Sequence, residues 1–141
     1  MKLLEYQIEI NSSSKDIWHK MWDKESYKLW ASERASDHYY EGTLEEGNII
    51  DLYDPQGNGM FNLVEKHIPE KEISFKHLGW IYDRVRTPQN WENSRETYQI
   101  ESTENGSVLK FSVNALDEFV DYFQSNVPHT LQRIKEISEK E

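Results

Sequence analysis

Between Asp37 and Val113 the chain runs through short stretches of alternating apolar and polar residues, separated by turn-length breaks, with no segment of helical period among them. Alternation at period two turns one face of each stretch toward a core. Strands that follow one another without a crossover helix pair antiparallel, because a parallel partner needs a connection of about a dozen residues or more. A doubly wound parallel sheet is thereby excluded, and the fold class is α+β.

The stretches fall in order. His38, Tyr40, Gly42 and Leu44 alternate, and Ile49 to Tyr53 is an apolar-rich run. Asp54 to Gly59 is a dense turn signal without the Lys and Ser/Thr of a phosphate-binding loop, and Met60 to Ile68 reads as a strand ending at Pro69. Ile73, Phe75, His77 and Gly79 alternate next, whereas Trp80 to Asn93, with Pro88 and two arginines, reads as a long loop. Thr97 to Ser102 and Ser107 to Val113 form a hairpin around Asn105-Gly106, with Tyr98, Ile100, Leu109, Phe111 and Val113 on its inner side. Leu4 to Ile10 alternates in the same way and brings the sheet to about seven strands.

Helical period is confined to the two flanks of this region. Ser13 and Asp16 approximate a capping box, after which Ile17, Trp18, Met21 and Trp22 form one apolar stripe. Asp23 ends that helix, and Tyr27, Trp30 and Ala31 mark a second short one. The C-terminal segment has the strongest periodicity: Leu116, Val120, Phe123, Val127, Leu131 and Ile134, widened by Phe119 and Ile137. Pro128 predicts a break near Ser125 and Asn126, with the proline in the first turn of the longer second piece. An antiparallel sheet with one apolar face needs a cover, and this helix is the element long and apolar enough to supply it. No linker or repeat divides residues 1–141, so they read as one domain.

Nearly the whole chain resembles the START-like (SRPBCC) superfamily and, within it, the domain of the activators of Hsp ATPase. The likeness rests on Ile17-Trp18 after a serine-capped start, Trp30, Glu41-Gly42 and Gly47, and Gly59 opening a strand. It continues through Pro69 followed by Ile73 and Phe75 to the ending Val127-Pro128-His129-Thr130-Leu131 with Ile134-Lys135. The resemblance implies a helix-grip fold, in which a curved sheet and a long helix enclose a cavity. Across the superfamily that cavity serves lipids, hormones and polyketides, and the fold also serves protein contacts.

Five Trp, eight Tyr and five Phe either line such a cavity or fill a core. With the resemblance, Trp30, Phe61, Phe75, Tyr98, Phe111, Phe119 and Phe123 become the candidate walls. His38, Tyr40 and His77 lie in the apolar phase of their strands, and their polar tips are expected to orient a ligand's polar end. Arg84 and Arg86, in the long loop with Trp91, read first as solvated loop residues, with attraction of a carboxylate to the mouth as the alternative.

Several classes of chemistry find no support. Acidic residues outnumber basic ones 26 to 16, for a net charge of −10, which repels nucleic acid and anionic lipid. There is no cysteine, and His19, His38, His67, His77 and His129 show none of the short spacings of a zinc site, so no metal or other cofactor is expected. No G-x-S-x-G elbow surrounds a serine, and no catalytic residue is assigned. The N-terminus lacks the apolar core of a signal peptide and no stretch reaches membrane-spanning length, which reads as a cytoplasmic protein without membrane insertion. The first expectation is noncatalytic binding of a small apolar or amphipathic molecule. The alternatives are an interaction module that presses an exposed patch, including Trp80 and Trp91, against a protein partner such as a chaperone, and a cyclase- or hydrolase-type enzyme.

Overall fold

The computed structural model describes residues 1–31, 38–91 and 93–140. Asp37, the first residue of the strand region, lies outside them. Eight strands form one open antiparallel sheet: β1 (Lys2–Ile10), β2 (Tyr39–Glu41), β3 (Ile49–Tyr53), β4 (Gly59–Ile68), β5 (Glu72–Tyr82), β6 (Val85–Pro88), β7 (Arg95–Thr103) and β8 (Gly106–Ala115). Their spatial order is β1-β8-β7-β5-β4-β3-β2, with β6 paired to β5. Two short helices, α1 (Ser14–Trp22) and α2 (Lys24–Trp30), follow β1, and α3 (Val120–Glu139) closes the chain after a 3-10 turn at Asp117–Phe119. This is the helix-grip arrangement.

Local chemistry sets the helix ends. The Ser13 hydroxyl accepts from Asp16 N at 3.1 Å, and Asp23 both terminates α1 and caps α2, its carboxylate accepting from Glu25 N and Ser26 N. Each of these helices buries its aromatic face: Ile17, Trp18, Met21 and Trp22 from α1, and Tyr27 and Trp30 from α2. They join Leu109, Phe111 and Val113 of β8 and Leu131 and Ile134 of α3 in the main core. Side chains reaching backbone carbonyls fasten α3 in place: Lys135 Nζ donates to Glu9 O, Lys20 Nζ to Ile137 O, and Arg133 Nε to Trp30 O.

Two expectations about local structure fail. The stretch Trp80 to Asn93 is not one long loop, because β5 continues to Tyr82 and turns into β6. Pro88 is compatible with this strand because β6 lies off the main strand path, where a missing N–H breaks no interior ladder. Gly79 makes the hairpin possible: a Cβ there would run into the Thr87 carbonyl and stand 2.9 Å from Gln89 N. Nor is the C-terminal helix broken near Ser125, since α3 runs unbroken through Pro128. Pro128 and the residue four before it, Gln124, are both exposed, so water can solvate the carbonyl that the proline leaves without a donor.

A bulge in the middle of the sheet decides which side chains face the helix. Phe61 pairs with Gly79 but Asn62 pairs with His77, which leaves Leu78 as an extra residue on β5. The inward phase therefore passes from Phe75 and His77 to Trp80, opposite Met60, while Gly79 and Ile81 turn outward with Phe61. Tyr53, Phe61 and Ile81 form a separate small cluster on that outer face.

Candidate functional site

Between the concave side of the sheet and the N-terminal half of α3 lies a cavity of about 490 Å³. The size falls within the usual range of small-molecule sites, about 300–1,000 Å³. The sheet supplies Phe75, His77, Trp80, Tyr98 and Phe111; the short helices supply Trp22, Tyr27 and Trp30; and Phe119, Phe123, Val127 and Leu131 close it from the C-terminal side. Trp80, Trp91 and Phe119 meet edge to face, with ring centroids 5.0–5.9 Å apart, and form a partly exposed aromatic wall.

Of the residues singled out in the sequence, Trp30, His38, Phe75, His77, Tyr98, Phe111, Phe119 and Phe123 line this cavity. Tyr40 and Phe61 do not. The Tyr40 hydroxyl donates to the Trp22 carbonyl and its ring packs on Tyr27, so the polar tip expected to meet a ligand is consumed inside the protein. Phe61 points to the outer face because the alternation of β4 turns Met60 and Val64 inward, and there the Arg86 guanidinium stands 5.4 Å from its ring centre. The two arginines, for which the mouth is the alternative reading, are on that face as well: Arg84 bonds Tyr39 and Glu41, and Arg86 makes a two-pronged pair with Asp51. Trp80 and Trp91, expected on an exposed patch, are half-buried and line the cavity.

The polar part of the site centres on His77, which is 5% exposed. Its Nδ1 stands 2.8 Å from Ser94 Oγ, its backbone N–H donates to Ser94 O, and its Nε2 lies 3.3 Å from Glu96 Oε1. The carboxylate favours a proton on Nε2. In the neutral ring Nδ1 then accepts from the Ser94 hydroxyl. Burial, with the Glu96 charge next in importance, pushes the hydroxyls of Tyr27 and Tyr98 above the ordinary tyrosine range. Glu96 and Ser94 lie just before Thr97, where the alternation in the sequence begins, and so outside the strand it predicts. Glu96 shares the phase of Tyr98 and Ile100, so a carboxylate on the core side of a strand was the available signal.

Charge around the cavity is one-sided. Among the described residues that line it there are two carboxylates, Asp54 and Glu96, two histidines, and no lysine or arginine. No group of three or more His, Asp or Glu side chains is placed to hold a metal among the described residues. No helix among them is long and apolar enough to cross a membrane.

No family model and no curated protein matches the chain. Solved structures do match. The Aha1 dimer of Colwellia psychrerythraea superposes with a TM-score of 0.77 at 22% identity, over 99% of this chain and 97% of that one. Protein MLL2253 of Mesorhizobium loti gives 0.76 at 11% identity, over 96% of both chains. The AHSA1-like protein of Aeromonas hydrophila gives 0.72 at 13% identity, over 98% and 92%. At these identities the likeness establishes a shared fold, the helix grip.

Proposed function

We propose that this chain is a noncatalytic binding protein of the START-like, Hsp-ATPase-activator-like group, and that it holds a small apolar or amphipathic molecule between its curved sheet and α3. The observation that carries the reading is the cavity of about 490 Å³, walled by aromatic rings and left unfilled by the protein's own side chains. Apolar walls with a few convergent polar groups are the usual make-up of a ligand site. Aromatic area supplies the affinity, at about 25 cal/mol per Å² removed from water, and the His77–Ser94–Glu96 set fixes orientation.

Two other readings stand behind this one. A serine, a histidine and a carboxylate in contact suggest a hydrolase, but the Ser94 N–H already donates to Trp91 O and is not available to a developing oxyanion. Ser94 is better read as the partner that holds the imidazole ring. The names of the Aha1 and AHSA1-like neighbours suggest contact with a chaperone. That reading called for an exposed patch at Trp80 and Trp91, and both rings line the cavity.

Native mass spectrometry of gently purified protein tests the proposal. The expected result is a mass above the 16.9 kDa polypeptide that is lost on denaturation. A bare mass that persists after incubation with fatty acids, sterols, aromatic polyketides and apolar amines would reject it.

A further inference from the structure

Among the described residues that line the cavity, Glu96 is the carboxylate that the fold does not occupy with backbone bonds. Asp54 Oδ1 accepts from Gln56 N and Asn58 N within its own turn. The Glu96 side chain is only 14% exposed, and its one polar contact among the described residues is His77 Nε2, 3.3 Å from Oε1. Its second oxygen has no partner among them. Folding has already removed most of this carboxylate from water, so a cation arriving beside it meets a charge that water compensates poorly. No lysine or arginine among the described lining residues offsets that charge. The walls act in the same direction, since the faces of tryptophan and tyrosine rings carry negative potential and attract cations.

We propose, on the premise that the cavity is a ligand site, that its ligand is a cationic amphiphile: an apolar body carrying one protonated amine, with the ammonium bound to Glu96. His77, held by Ser94, stands beside the carboxylate. A carboxylate-headed ligand such as a fatty acid is disfavoured, because its head would add a second anion beside Glu96 with no cation on the described wall to receive it.

Three probes with the same ring system separate the possibilities: 1-naphthylmethylamine, 1-naphthalenemethanol and 1-naphthaleneacetic acid, each titrated calorimetrically into the full chain near neutral pH. The expected order of affinity is amine, alcohol, acid, with the amine ahead of the acid by about tenfold or more, as a charge-assisted contact in a shielded site requires. In Glu96→Gln the amine falls to within about twofold of the alcohol. In His77→Gln, which retains the carboxylate, the amine keeps its lead. Acid binding as tight as amine binding overturns the proposal while leaving the cavity reading intact, as does an amine lead that survives in Glu96→Gln or disappears in His77→Gln. Failure of all three probes to bind overturns both. Should Glu96→Gln lose its native circular dichroism, the wild-type order and the His77→Gln result decide.

Discussion

Tyr27 and Tyr98 record what the cavity does to a polar group. Burial is the main reason their hydroxyls ionise above the ordinary range, and the Glu96 carboxylate adds to it by opposing a second negative charge. For an acid whose folded pKa is raised, the stability contribution is fully present below the unfolded value, about 10 for tyrosine, and is lost as pH rises through the folded value. The protein is therefore expected to lose stability above about pH 10 and to release its buried phenolic protons only as it unfolds. Ultraviolet absorbance should show fewer than the eight tyrosines titrating in the native state, with the remainder appearing together with the loss of circular dichroism. Tyr27→Phe should move that alkaline transition to higher pH. Eight tyrosines ionising in one step near pH 10, with the circular dichroism intact, would contradict the burial of these two rings.

At the scale of elements, the sheet is held where three strands meet. Glu72 on β5 accepts from Gln99 Nε2 of β7 at 2.8 Å and pairs with Lys66 of β4 at 3.0 Å, and Glu72 and Gln99 are direct register partners. The Gln99 hydrogen bond, followed by the lysine, holds the Glu72 carboxyl below its ordinary value of 4.5, against a smaller opposing effect of burial. A lowered folded pKa contributes stability above the unfolded value, and the contribution is lost as pH falls through the folded one. Gln99→Ala is expected to cost about 0.5–1 kcal/mol at neutral pH, reduced from the full charge-assisted value because the pair is partly solvated. Urea denaturation should show the gap from wild type closing below about pH 4, and a gap independent of pH would assign the loss to packing. What the sequence revealed at this scale was what local period encodes. The stripes of α1 and α3, the Asn105-Gly106 hairpin and the inward row Tyr98, Ile100, Leu109, Phe111 and Val113 are each written within a few residues. The bulge at Leu78 is not, because it exists only in the pairing of β4 with β5, and it turns Trp80 inward while Gly79 and Ile81 face outward. β6 was hidden for a related reason: Pro88 and two arginines carry a loop signal, and only Gly79 across the ladder shows that a strand can approach there. The cavity walls were accordingly legible in part, whereas Glu96 and Ser94 became visible once register fixed them beside His77.

For the whole molecule, the net charge of −10 and the carboxylates Asp54 and Glu96 of the cavity wall act over different distances, and salt separates them. At about 10 mM ionic strength the screening length is about 30 Å, comparable to a small domain, so an approaching cation responds to the summed charge of the chain. At about 150 mM it shrinks to about 8 Å, and only charges near the cavity are felt. The association rate of 1-naphthylmethylamine is therefore expected to fall several-fold across that range, while that of 1-naphthalenemethanol barely changes. Dissociation follows the opposite logic, because a contact with a shielded carboxylate is poorly screened: its rate should respond little to salt and rise in Glu96→Gln. Stopped-flow tryptophan fluorescence measures both rates, since Trp22, Trp30, Trp80 and Trp91 all line the cavity. If Glu96→Gln slowed association and left dissociation unchanged, Glu96 would belong to the steering field rather than to the bound complex. If the amine's association ignored salt, the acidity of the chain would have no part in recruiting a ligand, and affinity for the amine would rest on the cavity alone.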